Sequence, residues 1–240
     1  MGVLRRLLKR GSEKSCFCSA VVVAAGMSRR MGGTDKIMAE LMGMPVICRT
    51  IGALEECPLI QEIVVVTREE LIVPISQLCR EFFFQKVTKV VLGGTTRTES
   101  VACGLRETDR EADLIAIHDG ARPFVSQELL ERVITAAVQS HAAAPAVPVK
   151  DTIKRAERGL VEETLDRSML YAVQTPQVFE ASLIRAAIHQ ALEEKAVLTD
   201  DCSAVERLGM QVCLTQGEYE NLKITTLSDL MLGSALLEQE

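Results

Sequence analysis

The sequence predicts an α/β fold: a Rossmann-like, mostly parallel sheet with helices on both faces and a protruding β-arm. Three observations carry that expectation. Apolar runs alternate along the chain between the unbroken pattern of buried strands and the three-to-four-residue spacing of amphipathic helices. The resulting βαβα rhythm suits parallel strands, which need helix-length crossovers to return to the same edge. One highly charged stretch, residues 150–167 (KDTIKRAERGLVEETLDR), interrupts the rhythm.

Taken in order, residues 19–25 (SAVVVAA) form an apolar run closed by Gly26, as expected of a strand buried on both faces. Val46, Ile47, Thr50, Ile51 and Leu54 recur at helical spacing, with Pro45 placed as the first helical residue. Residues 63–67 (IVVVT) and 87–92 (VTKVVL) are the second and third strands. A helix follows over about 98–106 with Val101 and Leu105 inward, and residues 114–118 (LIAIH) are the fourth strand. Leu129, Leu130, Val133, Ile134 and Ala137 mark the next helix, and 142–149 a further strand. Helices at 183–192, 202–208 and 227–237, with a strand at 211–215, complete the series. In such sheets ligands gather at the carboxyl ends of the strands. The charged stretch alternates on either side of Arg158-Gly159 and reads as a β-hairpin. A lone hairpin is marginal in water, and its simplest partner is the same hairpin of a second subunit.

A chain of 240 residues suits one large domain, here 19–240, preceded by a basic tail at 1–18. A net charge of −6 argues against a nucleic-acid partner but allows a local cationic pocket. The eight cysteines include no C-x-x-C pair and the three histidines are scattered, which argues against zinc. Most of the cysteines sit in apolar patterns as small hydrophobes, a usage that fits a reducing cytoplasm. The tail carries Arg5, Arg6, Lys9, Arg10 and Lys14, and the apolar runs between them are too short for a signal-peptide core. Val3, Leu4, Leu7 and Leu8 could line one face of a short basic helix, but a solvated tail is the expectation, with no stable membrane association.

Chemistry concentrates at three strand ends. Ala24-Ala25-Gly26-Met27-Ser28-Arg29-Arg30-Met31, followed by Lys36, places small residues where backbone N–H groups can cradle phosphate oxygens, with Arg30 and Lys36 adding charge. It is neither a Walker A loop nor a G-x-G-x-x-G fingerprint. Gly93-Gly94-Thr95-Thr96-Arg97-Thr98-Glu99-Ser100 offers a tight turn and a hydroxyl on the opening helical turn, suited to reading a base or ribose; alone it would be a helix cap. His118-Asp119-Gly120-Ala121-Arg122 puts a carboxylate at a strand end, a usual place for ribose or metal. Mg²⁺ takes one or two carboxylates plus phosphate oxygens, so Asp119 is the metal candidate and His118 is structural. Thr199-Asp200-Asp201 opens a helix, with Thr199 as the N-cap and the two acids in its first turn, and Asn221-Leu222-Lys223 precedes the last helix.

In register, these pieces resemble the 2-C-methyl-D-erythritol 4-phosphate cytidylyltransferase family of the non-mevalonate isoprenoid route. The likeness runs from about residue 19 to the C-terminus through AAGMSRRM…K, GGTTRTESVACGL, HDGARPF, PVKDTIKR, DRSMLYAVQTPQVF, TDDCSAVE and GEYENLKITT. It implies that CTP is a substrate and Mg²⁺ the cofactor, with Ala24, Ala25, Gly26, Met27 and Ser28 around the triphosphate. Arg30, Lys36 and Lys223 would be the catalytic cations, and Gly94, Thr95 and Ser100 would read cytosine. Asp119 and Gly120 would sit beside the nucleotide, with Asp119 also on the metal. The acceptor would be gripped by Asp119, Arg122, Thr199 and Lys223, and by Thr152 and Arg167 from a neighbouring subunit's arm at about 150–170, making a homodimer. Ser28 stands where many members carry glycine, and Thr95 where an acid is common. The alternatives are a ribitol-5-phosphate cytidylyltransferase and, remotely, an NAD(P)-dependent dehydrogenase, which the missing glycine fingerprint disfavours.

Overall fold

The computed structural model describes residues 16–27 and 35–238. In chain order they form β1 (Cys18–Val23), a short hairpin of β2 (Glu40–Leu41) and β3 (Met44–Pro45), α1 (Val46–Glu56), β4 (Glu62–Thr67), α2 (Glu69–Glu81), β5 (Val87–Leu92) and α3 (Arg97–Glu107). Next come β6 (Leu114–Asp119), α4 (Gln127–Ser140), β7 (Ala142–Pro148), β8 (Lys154–Glu157) and β9 (Leu160–Thr164). A 3₁₀ turn (Arg167–Met169), β10 (Tyr171–Val173), β11 (Gln177–Glu180), α5 (Ala181–Glu193), α6 (Cys202–Arg207), β12 (Cys213–Gln216) and α7 (Leu227–Leu237) follow.

The main sheet runs β10-β7-β11-β6-β1-β4-β5, with β12 on β7. β1 is parallel to β4 and β6, β4 to β5, and β7 to β12. β11 runs antiparallel to β6 and β7, and β10 antiparallel to β7. Side chains alternate across β1: Ala20 and Val22 join the core under α1 and α4, while Val21 faces α3 and α5. Both faces are therefore buried, which explains the unbroken apolar run.

Register aligns the carboxyl ends that matter. Val23 pairs with Asp119 across β1 and β6, and with Val66 across β1 and β4. The ladder continues into the loops through Ala24 N to Val66 O at 2.7 Å, Gly93 N to Thr67 O at 2.8 Å and Gly120 N to Val23 O at 2.9 Å. The three strand-end motifs are thus locked side by side.

The 150–167 stretch does form a hairpin. Arg158 and Gly159 both take positive φ, 50° and 82°, the left-handed pair whose twist suits a two-residue hairpin turn. Every residue of β8 and β9 is exposed.

Several elements differ from the expectation. Pro45 closes β3 and caps α1 from outside instead of occupying its first turn. The sequence pattern does not announce the β2–β3 hairpin, α2, β10 or β11, and the strand placed at 211–215 starts at Cys213. The basic tail falls outside the described residues except for Cys16 to Cys18. Phe17 already bonds to the fold, its N–H to Asp113 Oδ2 at 2.9 Å. Among the described residues no helix is long and apolar enough to cross a membrane.

Candidate functional site

The loops after β1, β5 and β6 enclose a cavity of about 360 Å³. Its walls include Ala24, Ala25, Gly26 and Met27 after β1, Gly94 to Arg97 and Ser100 at the start of α3, and Asp119 and Ala121 at the end of β6. Lys36 and Lys223 complete it. The two lysines, 187 positions apart, therefore share one cavity.

Asp119 is the last residue of β6 and its side chain is 10% exposed. Lys223 Nζ lies 2.9 Å from Oδ2, Arg122 Nε 3.5 Å from the same oxygen, and Arg97 Nη2 3.5 Å from Oδ1. Burial opposes ionisation of this carboxyl, but Lys223, Arg97 and Arg122 together outweigh it and hold it well below the usual carboxylate range. Lys223 reaches this place because its segment is stitched to the loop after β6. Ile224 N donates to Ala121 O at 2.8 Å, and Arg122 Nη1 to Asn221 O at 2.6 Å. Asn221 Nδ2 also donates to Thr175 O at 3.0 Å.

Beneath the carboxylate, Thr175 Oγ1 accepts from Asp119 N at 3.0 Å and lies 2.9 Å from His118 Nδ1. His118 Nε2 lies 3.1 Å from the Arg122 carbonyl, which can only accept, so the proton sits on Nε2 and Nδ1 accepts from Thr175. Burial lowers His118 to about 4 and keeps it neutral. It braces the turn between Asp119 and Arg122, in line with the structural role expected of it.

At the start of α3, Thr96 and Glu99 form a capping box, and Glu99 also accepts from Thr95 N at 2.7 Å. Ser100 Oγ accepts from Gly94 N at 3.2 Å and donates to Thr96 O at 2.9 Å. A Cβ at Gly94 would stand 2.2 Å from Glu99 Cβ, so only glycine permits this turn. Arg97 makes two parallel bonds to Asp201, at 2.8 and 2.7 Å, while its Nη2 also faces Asp119. Burial pushes the Asp201 carboxyl up and Arg97 pulls it back; the paired geometry is that of an ion pair.

This arrangement, cations around one carboxylate beside an open backbone loop, is built to hold a polyanion. The family model described as IspD: 2-C-methyl-D-erythritol 4-phosphate cytidylyltransferase matches residues 18–239. The chain belongs to this family. A 2-C-methyl-D-erythritol 4-phosphate cytidylyltransferase of Caldanaerobacter subterraneus subsp. tengcongensis is 45% identical over 228 residues, covering 92% of this chain and 99% of the relative. One from Geobacillus kaustophilus is 46% identical over 220 residues, covering 91% and 96%. The crystal structure of 4-diphosphocytidyl-2C-methyl-D-erythritolsynthase from Anaerococcus prevotii has a TM-score of 0.84 at 32% identity, covering 93% of this chain and 97% of that one.

Against this cytidylyltransferase framework, the cavity gathers ten of the expected residues: Ala24, Ala25, Gly26, Met27, Lys36, Gly94, Thr95, Ser100, Asp119 and Lys223. Ser28 and Arg30 lie outside the described residues. Gly120 does not line the cavity; a Cβ there would meet Ala24 Cβ at 3.0 Å and Ile47 Cδ1 at 3.1 Å, so it serves the packing of β1 on β6. Arg122 stands behind Asp119. Thr152, Arg167 and Thr199 are exposed and line no part of the cavity, and Arg167 Nη1 donates to Lys150 O at 2.8 Å. Thr199 is not the N-cap of α6; that place is held by Asp201, and Gln177 Oε1 accepts from the N–H groups of Asp201 and Cys202, both at 3.0 Å.

Sequence reading missed Arg97 and Asp201. One signal was available: a cation on the first turn of a helix opposes the macrodipole and so asks for a carboxylate partner. As for Mg²⁺, Asp119 is the one carboxylate that lines the cavity among the described residues. That donor set fits an ion that draws its other ligands from phosphates and water, not an all-protein cage.

Proposed function

We propose that this chain transfers the cytidylyl group of CTP to 2-C-methyl-D-erythritol 4-phosphate. The products are 4-diphosphocytidyl-2-C-methyl-D-erythritol and pyrophosphate, a step of non-mevalonate isoprenoid precursor synthesis. The observation that carries the reading, beside family membership, is the convergence of Lys36, Arg97 and Lys223 with Asp119 on one cavity at the carboxyl edge of the sheet.

A phosphate oxygen of the acceptor attacks the α-phosphorus of CTP in line, and pyrophosphate leaves from the opposite side. The acceptor phosphate is already an anion near neutral pH, so no protein base is required, and the neutral His118, turned toward the Arg122 carbonyl, supplies none. The task is to bring two polyanions together and offset the charge that builds at the α-phosphate, by positioning and fixed cations. Lys36 and Arg30 serve the triphosphate, and the backbone of residues 24–27 cradles its oxygens. Gly94, Thr95 and Ser100 read cytosine. Lys223, Arg122, Asp119 and Thr199 serve the acceptor. Arg97, fixed by Asp201, adds a cation between the base-reading turn and Asp119. Asp119 would hold Mg²⁺, which when bound neutralises triphosphate charge.

Thr152 and Arg167 belong to the arm and act on the acceptor of a neighbouring subunit, so a homodimer is part of the proposal. Leu160 and Val161 on β9 are 75% and 60% exposed, an apolar tip that a second copy would cover. The eight free cysteines suit a reducing cytoplasm.

Incubating the protein with CTP, Mg²⁺ and either 2-C-methyl-D-erythritol 4-phosphate or ribitol 5-phosphate, and following pyrophosphate release, tests the reading. Release with the methylerythritol phosphate is expected. A preference for ribitol 5-phosphate would overturn the acceptor assignment.

A further inference from the structure

We propose that Arg68 is a positioning residue for Lys36, tying the exit of β1 to the turn that carries the lysine. The inference rests on the cytidylyl-transfer reading above and deepens it.

Arg68 lies between β4 and α2, at the N-cap of α2, where the helix dipole gives a cation nothing. Its guanidinium instead reaches three acceptors at once. Nε donates to Glu70 Oε1 at 2.6 Å, Nη1 to the Gly26 carbonyl at 3.2 Å, and Nη2 to Asp35 Oδ2. Gly26 stands just after β1, and Asp35 stands immediately before Lys36. Asp35 organises the next turn: its Oδ1 accepts from Ile37 N at 2.9 Å, and its carbonyl from Met38 N at 3.2 Å and Ala39 N at 2.8 Å. Gly26 and Lys36 both line the cavity, whereas Arg68 does not. One planar fork thus joins two walls of the site from behind, and the rigidity of a guanidinium suits it to that task better than a flexible ammonium.

The alternative is that Arg68 only decorates the start of α2 through Glu70. The two roles separate experimentally. The Arg68 and Asp35 side chains are 20% and 22% exposed, so removing one partner lowers stability as loss of a part-buried pair does, by an amount a folded domain of this size withstands. Displacing a reacting group by about 1 Å can cost on the order of 10²-fold in rate. Arg68→Ala should therefore weaken CTP binding, read by calorimetry with Mg²⁺, and lower kcat/KM for CTP by at least about tenfold on that scale. The acceptor KM should stay within about twofold, and the variant should still melt in one cooperative transition, at a temperature somewhat below the native one. Asp35→Ala should give a similar loss, and the double variant should lose no more than the worse single one, since both act through one link. Glu70→Ala, which breaks only the Nε bond, should leave the CTP constants alone.

Arg68→Ala with CTP constants within about twofold of the native protein would overturn the proposal, as would losses that add in the double variant. A lower melting temperature with unchanged CTP constants would mark a structural ion pair and overturn it equally. Native protein that releases no pyrophosphate would unseat the cytidylyl reading instead. In that event the CTP affinities still decide whether Arg68 sets the pocket.

Discussion

Replacing Arg97 with alanine strands a buried charge. The Asp201 side chain is 2% exposed and depends on two parallel bonds, 2.8 and 2.7 Å, from that guanidinium. Two unit charges about 4 Å apart interact by about 4 kcal/mol at an effective dielectric of ~20. Truncating one partner of a buried pair removes this attraction without refunding the other's desolvation, a loss of about 3–5 kcal/mol. Equilibrium urea unfolding of native and variant protein at pH 7.5 reads it directly. The sign of the pH dependence adds a second check. Burial already pushes Asp201 up, and without Arg97 it rises further. A carboxyl that holds its proton more tightly when folded makes stability fall as pH rises above its unfolded value of about 3.9. The variant's deficit should therefore shrink at pH 5. A deficit under about 1 kcal/mol at pH 7.5, or one that grows on acidification, would refute the reasoning. Conversion to methionine in place of alanine should leave the same deficit, since the charge and not the stem is what Asp201 lacks.

Lys36→Ala should remove about 10²–10³ of turnover, by analogy with an oxyanion-hole donor, while urea unfolding stays native-like; near-normal turnover would count heavily against its catalytic role. Arg167→Ala should raise the acceptor KM with little change in the CTP constants, and an unchanged acceptor KM would sink the shared arm. His118, lowered to about 4 by burial, takes up fewer protons folded than unfolded between that value and about 6.5. Native stability should fall by about 3 kcal/mol as pH drops through this window, and His118→Asn should flatten the slope; equal slopes would show that another group is titrating.

Much of the sheet is legible in the sequence because β1, β4 and β6 are buried on both faces, which fills most of their positions with apolar residues; the polar ones, Ser19, Glu62, Thr67, His118 and Asp119, stand toward the strand ends. α2 carries a fair stripe in Leu71, Ile75 and Cys79, yet Pro74 inside it speaks against a helix. β11 is four residues long, begins with Gln177 and runs antiparallel to both neighbours; strand direction leaves no mark in a local pattern. The site divides the same way. Lys36, Asp119 and Lys223 stand in motifs whose neighbours identify them. Arg97 takes its meaning from Asp201, 104 positions on, a partner no window of sequence contains.

The main-chain bond from Ile224 to Ala121 works like a clasp on a necklace. It fastens two distant stretches by atoms every residue except proline possesses, so apolar replacements at 224 that still fill the buried space leave the fastening intact. The hundred or so residues strung between can be lengthened or shortened at the hairpin tip while the distance from ammonium to carboxylate stays put. Changes of length in the family should accordingly collect at the hairpin tip and spare the clasp.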